Sequence, residues 1–232
     1  MTQEQTREIP APRRLVLLRH GRTAWNLVGR AQGHTDVTLD ETGREQAASA
    51  ASCLAGYGAS ALWSSDLARA RETAAYVEKA TGLEAISDSR LREFDVGQRA
   101  GLTVPEFAER FPEAYAAWAA GHVTGGVPGA ETIDDVTARM VPALREMLAS
   151  LGPGETGIVV THGACIKVSL AGLLGLPPES EEVIFSMDNC GWATIAEHHG
   201  GRLRLWSYNE TAHPGVVAPT GTPDFASDAP SG

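Results

Sequence analysis

Two histidines and two arginines in this chain of 232 residues stand at equivalent points, each just past a short apolar run. Arg19-His20-Gly21 follows Leu15-Val16-Leu17-Leu18. Ser64-Ser65-Asp66 follows Ala61-Leu62-Trp63, with Arg69 three residues on. Thr161-His162-Gly163 follows Ile158-Val159-Val160. Histidine is a nucleophile and a proton carrier near neutral pH. Convergent arginines form a fork-shaped receptor for a tetrahedral anion. Taken singly these residues are ordinary: His20 reads as a turn residue and Arg69 as a surface charge on a helix. Their shared position after successive runs gives them a joint meaning, a phosphate pocket.

That meaning depends on the elements that hold the residues. Short continuous apolar runs are strands buried on both faces. Between them lie helical patterns. One starts after Asp40, a good N-cap, and runs to about Leu54. Another, capped by Ser65, carries the stripe Leu67, Ala70, Ala74 and Val77. Glu84 to Ser87 reads as a short strand, and residues 103 to 120 as one or two short helices broken near Pro112. Ile133, Val136, Met140, Leu144, Leu148 and Leu151 form a further stripe, which Pro142 should kink. A helix follows from about Ala164 to Leu174, and residues 191–197 and 202–208 read as a hairpin across His198-His199-Gly200-Gly201. Strands alternating with helices predict an α/β three-layer sandwich, a mostly parallel central sheet with helices on both faces. The carboxyl ends of parallel strands share one edge, where ligands bind. Helix starts after Gly21, Ser65 and Gly163 would aim free N–H groups at the same spot.

Composition removes other classes. With 19 basic and 29 acidic residues the formal charge is -10, the wrong balance for binding nucleic acid. Neither lysine, Lys79 or Lys167, follows a glycine, so there is no Walker A loop. No apolar run reaches the ~18 residues of a membrane span, and the first residues lack a signal-peptide core, so a cytoplasmic protein is expected. Cys53, Cys165 and Cys190 are odd in number and far apart, which argues against disulfides and structural zinc. Ala59, Ala171 and Ala196 occupy the positions where a thiolate phosphatase loop needs arginine, so all three cysteines read as small buried residues. Apolar residues make up 43% of the chain, enough for one full core. The organisation expected is a disordered leader over 1–12, a globular domain over 13–208 and a Pro/Gly-rich tail over 209–232. Gly152-Pro153-Gly154-Glu155-Thr156-Gly157 spells a dinucleotide fingerprint, but it follows a helix and precedes a strand and so reads as a loop.

Leu17-Leu18-Arg19-His20-Gly21-Arg22-Thr23-Ala24-Trp25-Asn26 resembles the opening motif of the histidine phosphatase superfamily, the phosphoglycerate-mutase-like proteins. The resemblance continues through Gln32-Gly33, Gly43-Arg44-Glu45-Gln46-Ala47, Ser64 to Ala70, Leu91-Arg92-Glu93, Gly129-Ala130-Glu131-Thr132 and Val160-Thr161-His162-Gly163. It implies that His20 attacks phosphorus and carries a transient phosphohistidine, while Arg19, Arg69 and His162 hold the phosphoryl oxygens. It implies that Glu93 is the general acid, protonating the leaving alcohol and then activating water. Acid work needs a protonated carboxyl, which a dry pocket or a neighbouring phosphate favours. Asn26, Gln32, Thr23 and Gly163 fall at substrate-binding positions of the motif. No metal and no cofactor is implied; the partner is a small phosphorylated metabolite. For such a domain a two-fold homodimer is the commonest assembly.

The chain departs from the family pattern at Arg22, where many members have Glu or Gln, and at Arg99, where the residue is usually aromatic. Both would add positive charge near the pocket, as a second anionic group on the substrate would require; the alternative is arginine-rich substitution at tolerant surface sites. Cofactor-dependent mutases of the superfamily usually follow the acid with Arg-His-Tyr-Gly and cover the site with a longer insertion. Glu93 is instead followed by Phe94-Asp95-Val96-Gly97 and the segment 103–131 is short, which fits the phosphatase branch. Leu203-Arg204-Leu205-Trp206-Ser207-Tyr208-Asn209 is similar to the late segment of actinobacterial phosphatases of glucosyl-3-phosphoglycerate, an acidic sugar phosphate. The alternatives are a phosphoglycerate mutase and a non-catalytic binder of phospho-ligands. The intact set His20, Arg19, Arg69, Glu93 and His162 weighs against the binder.

Overall fold

The structure is a computed structural model and describes residues 11–120, 126–177, 180, 183–198 and 201–212. The leader to residue 10, the centre of the hairpin turn at 199–200 and the tail from 213 lie outside the described residues.

Six strands form one sheet: β1 (Arg14–Arg19), β2 (Ala61–Ser64), β3 (Ala85–Ser87), β4 (Thr156–Thr161), β5 (Trp192–His198) and β6 (Arg202–Glu210), in the order β3-β2-β4-β1-β5-β6. The first four run parallel, while β5 is antiparallel to β1 and β6 to β5. Among the described residues seven α-helices accompany them: α1 (Ala24–Leu27), α2 (Glu41–Leu54), α3 (Ala68–Thr81), α4 (Val104–Arg110), α5 (Pro112–Ala119), α6 (Ile133–Ser150) and α7 (Gly163–Leu174).

Alternate residues of β1 feed two cores, as a two-period strand buried on both faces must. Leu15 and Leu17 pack with Met140, Leu144 and Ile166 on the α6/α7 side. Val16 and Leu18 pack with Ala47, Leu54, Ala70 and Val77 on the α2/α3 side. A third cluster, Phe107, Ala114 and Trp118, joins α4 to α5. This is the expected three-layer α/β arrangement.

Local chemistry fixes most boundaries. Asp40 caps α2 by accepting from the Gly43 N–H at 2.7 Å. Reciprocal capping boxes start α4 at Thr103/Glu106 and α6 at Thr132/Asp135. Pro112 opens α5 at its first position, where a missing N–H costs nothing.

Several boundaries differ from expectation. Ser65 does not cap α3, which begins at Ala68; the Ala68 N–H finds Asp36 Oδ1 at 2.5 Å instead. The helix after Gly21 is only the single turn α1, capped by Thr23. Strand β6 runs past Tyr208 to Glu210 through an irregularity in its pairing with β5. Asn209 takes a φ of 53° there, a conformation Asn tolerates better than most residues. Cys53, on α2, is exposed rather than buried.

Candidate active site

The sheet register delivers the site. Arg19 of β1 lies opposite Thr161 of β4, and Ser64 of β2 opposite Val160. The ladder continues one residue further, with the His20 N–H donating to the Thr161 carbonyl at 3.0 Å and the Ser65 N–H to the Val160 carbonyl at 2.9 Å. His20, His162 and Ser65 thus leave the sheet side by side at the carboxyl edge.

His20 is held on every side. Its Nδ1 donates to the Gly21 carbonyl at 2.7 Å, which leaves Nε2 with the lone pair, and Arg69 Nε donates to that Nε2 at 3.2 Å. The His20 carbonyl accepts from Asn189 Nδ2 at 3.1 Å and from the Cys190 N–H at 3.2 Å. The Gly21 N–H donates to Thr73 Oγ1 at 3.0 Å. Backbone packing here leaves no room for side chains. A Cβ at Gly21 would overlap the Gly43 carbonyl, and one at Gly43 would overlap the Arg22 carbonyl.

The ring centroids of His20 and His162 are 5.2 Å apart, and His162 Nε2 lies 2.9 Å from Ser65 Oγ. His162 Nδ1 is buried with no partner among the described residues. Both histidines are held well below the ordinary imidazole pKa, first by burial and then by the Arg69 guanidinium. Both are therefore neutral at pH 7, the form a nitrogen nucleophile requires.

Arg69 is fully buried and also donates to the carbonyls of Thr35 at 3.1 Å and Gly33 at 2.9 Å. Arg19, also buried, donates through Nη1 to the Met187 carbonyl. Glu93 is 3% exposed; its carboxylate accepts from the Phe94 N–H at 3.0 Å and from the Ala164 N–H, in the first turn of α7, at 3.4 Å. The Gly163 Cα faces the Arg19 guanidinium, with 3.2 Å between a built Cβ and Nε. Gln32 is 5% exposed, and both polar atoms of its amide are buried without a partner among the described residues. Such an orphan is costly unless a ligand completes it.

The remaining expected residues are engaged differently. Thr23 is buried and caps α1, and Asn26 Oδ1 accepts from its N–H and its hydroxyl, both at 3.0 Å. Arg22 is ion-paired with Asp40 at 2.8 Å, so its charge is balanced at the start of α2. Arg99 is 5% exposed, and its guanidinium stacks over Phe107 at 4.4 Å and Trp118 at 4.7 Å. Neither is a loose surface charge. The roles of Ser65, Thr73, Asn189 and Cys190 were not legible beforehand. The last two become visible only once β5 is known to lie beside β1.

A buried neutral imidazole, two buried guanidiniums and a carboxyl group gathered at the edge of a parallel sheet define an enzyme of phosphoryl chemistry, a phosphoric monoester hydrolase. Residues 15–211 match the family described as histidine phosphatase superfamily (branch 1). Over 192 residues the chain is 36% identical to a glucosyl-3-phosphoglycerate phosphatase of Mycolicibacterium vanbaalenii, covering 80% of this chain and 85% of that one. It is 40% identical over 156 residues to a metal-independent phosphoserine phosphatase of Arabidopsis thaliana, covering 66% of this chain and 65% of the relative. Among solved structures, a mycobacterial glucosyl-3-phosphoglycerate phosphatase complexed with VO3 superposes with a TM-score of 0.80 at 37% identity, over 86% of this chain and 100% of that one. The chain belongs to the histidine phosphatase superfamily.

Proposed function

We propose that this phosphatase cleaves a small phosphorylated metabolite, an acidic sugar phosphate such as glucosyl-3-phosphoglycerate, through a phosphohistidine on His20 and without a metal ion. The observation that carries this reading is the His20 imidazole: buried, neutral, with Nδ1 tied to the Gly21 carbonyl and Nε2 facing Arg69 Nε. Nε2 attacks phosphorus, and the Arg69 donor passes from Nε2 to a phosphoryl oxygen as the N–P bond forms. The Gly21 carbonyl then supports the positive charge on Nδ1–H. Ser65 Oγ accepts from the Leu67 N–H at 3.3 Å and lies 2.9 Å from His162 Nε2, and the proposed mechanism takes the tautomer in which the Ser65 hydroxyl donates to that Nε2. That tautomer puts a proton on the unpartnered His162 Nδ1, available to a second phosphoryl oxygen. Glu93 gives its proton to the leaving alkoxide, then takes one from the water that splits phosphohistidine. Arg19 and Arg69 neutralise the anionic charge of the phosphoryl group, which a metal ion neutralises elsewhere.

The acidic substrate is supported by the names of the mycobacterial relatives and by the orphaned Gln32 amide; Arg22, Thr23, Asn26, Arg99 and Gly163 complete the proposed binding set. The acidic composition and the absence, among the described residues, of a helix able to cross a membrane fit a cytoplasmic enzyme.

The test is trapping. Wild type quenched with labelled phosphomonoester should show acid-labile phosphate on His20. His20→Ala should retain the fold, show no label and lose turnover by at least ~10³-fold, as removal of a covalent nucleophile does. Label on another residue, or substantial activity in the variant, overturns the mechanism.

A further inference from the structure

The residues that carry Glu93 belong to no helix or strand: between Leu91, which ends a short 3₁₀ turn, and Val96 the backbone is irregular. Such a segment makes no ladder, yet its buried carbonyls require donors. Side chains supply them. Arg139, on α6, donates through Nη1 to the carbonyls of Arg90 at 2.8 Å and Arg92 at 2.7 Å, and through Nη2 to the carbonyl of Glu93 at 2.9 Å. His34 Nε2 reaches the same Glu93 carbonyl from the other side at 2.8 Å. Thr161 Oγ1 donates to the Leu91 carbonyl at 2.7 Å and Cys165 Sγ to that of Arg92 at 3.1 Å. Four consecutive carbonyls are thus anchored by side chains, and Arg139 holds three of them.

Arg139 is itself fixed. Its Nε and Nη2 pair with both carboxylate oxygens of Glu131, each at 2.8 Å, a bidentate fork with little freedom. Glu131 Oε2 also accepts from the Asp95 N–H at 2.8 Å, and the Glu131 N–H donates to the Asp95 carbonyl at 2.8 Å, so the clamp closes on the far side of Glu93 as well. A side chain with five N–H donors in one plane can do this; a lysine ammonium cannot span the same acceptors.

We propose that Arg139, seconded by His34 and locked by Glu131, is the positioning residue that sets Glu93 at proton-transfer distance from the leaving oxygen. This rests on Glu93 being the general acid. The clamp grips the backbone of the acid-bearing segment, so its loss should act chiefly where the acid matters; His162 also feels the Arg139 charge, which Arg139→Lys keeps. Proton delivery decides the rate for a poor alkoxide leaving group and hardly matters for p-nitrophenolate.

The experiment measures single-turnover phosphorylation of His20 by glycerol 2-phosphate and by p-nitrophenyl phosphate in the full chain and in Glu93→Gln, Arg139→Lys and His34→Ala. Glu93→Gln should lose ~10²-fold on the alkyl ester and only a few-fold on the aryl ester. Arg139→Lys, which keeps the charge, should lose about tenfold on the alkyl ester alone, the scale of effect of a sub-ångström misplacement. A general structural defect would slow both esters equally, and that result, or no loss at all, overturns the proposal. If Arg139→Lys does not fold, His34→Ala decides by the same comparison. Its side chain is 29% exposed, and about a threefold loss confined to the alkyl ester is expected from removing one of two donors to the Glu93 carbonyl. If Glu93→Gln itself shows no selectivity, the acid assignment falls and the clamp proposal with it. Selectivity in Glu93→Gln without selectivity in the clamp variants defeats the clamp alone.

Discussion

Cys165 Sγ sits against the acid-bearing segment, and the Cys190 backbone holds the His20 carbonyl, so both thiols lie within the architecture of the site. Neither is a thiolate. Burial raises Cys190 to about 12, and burial together with the nearby Glu93 carboxylate pushes Cys165 well above the ordinary thiol value. The chemistry needs neither sulfur. Cys165→Ser/Cys190→Ser is therefore expected to keep kcat within about fivefold of wild type, since Ser retains the donor toward the Arg92 carbonyl and leaves the backbone donor at 190 in place. A loss comparable to that of His20→Ala would return the thiols to the mechanism. Reading the thiols as bystanders required only their spacing. Their contacts could not be read, because each depends on a segment remote in sequence.

Helix α2 supports the proposed nucleophile loop without supplying any reacting atom. Its first turn lies directly on the loop that carries His20, with Gly43 against the Arg22 carbonyl and the Arg22 N–H donating to Gln46 Oε1 at 2.9 Å. Both contacts are with backbone, which cannot rotate away. Gly43→Ala should destabilise the fold by about 2–3 kcal/mol, the upper range for overpacking, and displace the nucleophile loop. Denaturant midpoints and kcat should fall together; an alanine variant with unchanged stability would contradict the packing described. The Gly43-Arg44-Glu45-Gln46-Ala47 string was legible as a motif, but its reason was not, since nothing local announces that a helix start must meet a loop about twenty residues earlier in the chain. The strands were the most readable elements, because continuous apolar runs admit few other readings. Helix starts were readable where a cap lay adjacent, as at Asp40, and misread at Ser65, where the hydroxyl serves His162 and the capping acceptor, Asp36, comes from outside the element.

Over the whole molecule, burying two neutral imidazoles couples stability to pH. His20 and His162 have folded pKa values below the unfolded value of ~6.5, so the unfolded chain binds more protons in that window. Stability is full above pH ~6.5 and falls as pH drops, by up to about 1.4 kcal/mol per pH unit for each histidine. The carboxyls of Asp66 and Asp88, held low chiefly by Arg92 and Arg90, contribute stability that is lost only at lower pH, below the unfolded carboxyl value of ~4. Chemical denaturation at pH 7.5, 6.5 and 5.5 should show the upper decline, and His20→Asn should remove one histidine's share of its slope; parallel curves for variant and parent would mean that His20 is not neutral when folded. The partners of Arg19 and His20 carry a further consequence. The Met187 carbonyl, Asn189 and Cys190 that grip them are separated from them by almost 170 residues of chain. On the ribosome His20 emerges almost 170 residues of synthesis ahead of the groups that fasten it. A nascent polypeptide that stops short of Asn189 and Cys190 therefore exposes His20 without the grip that aligns it, and the proposed cleavage chemistry must wait for those two residues.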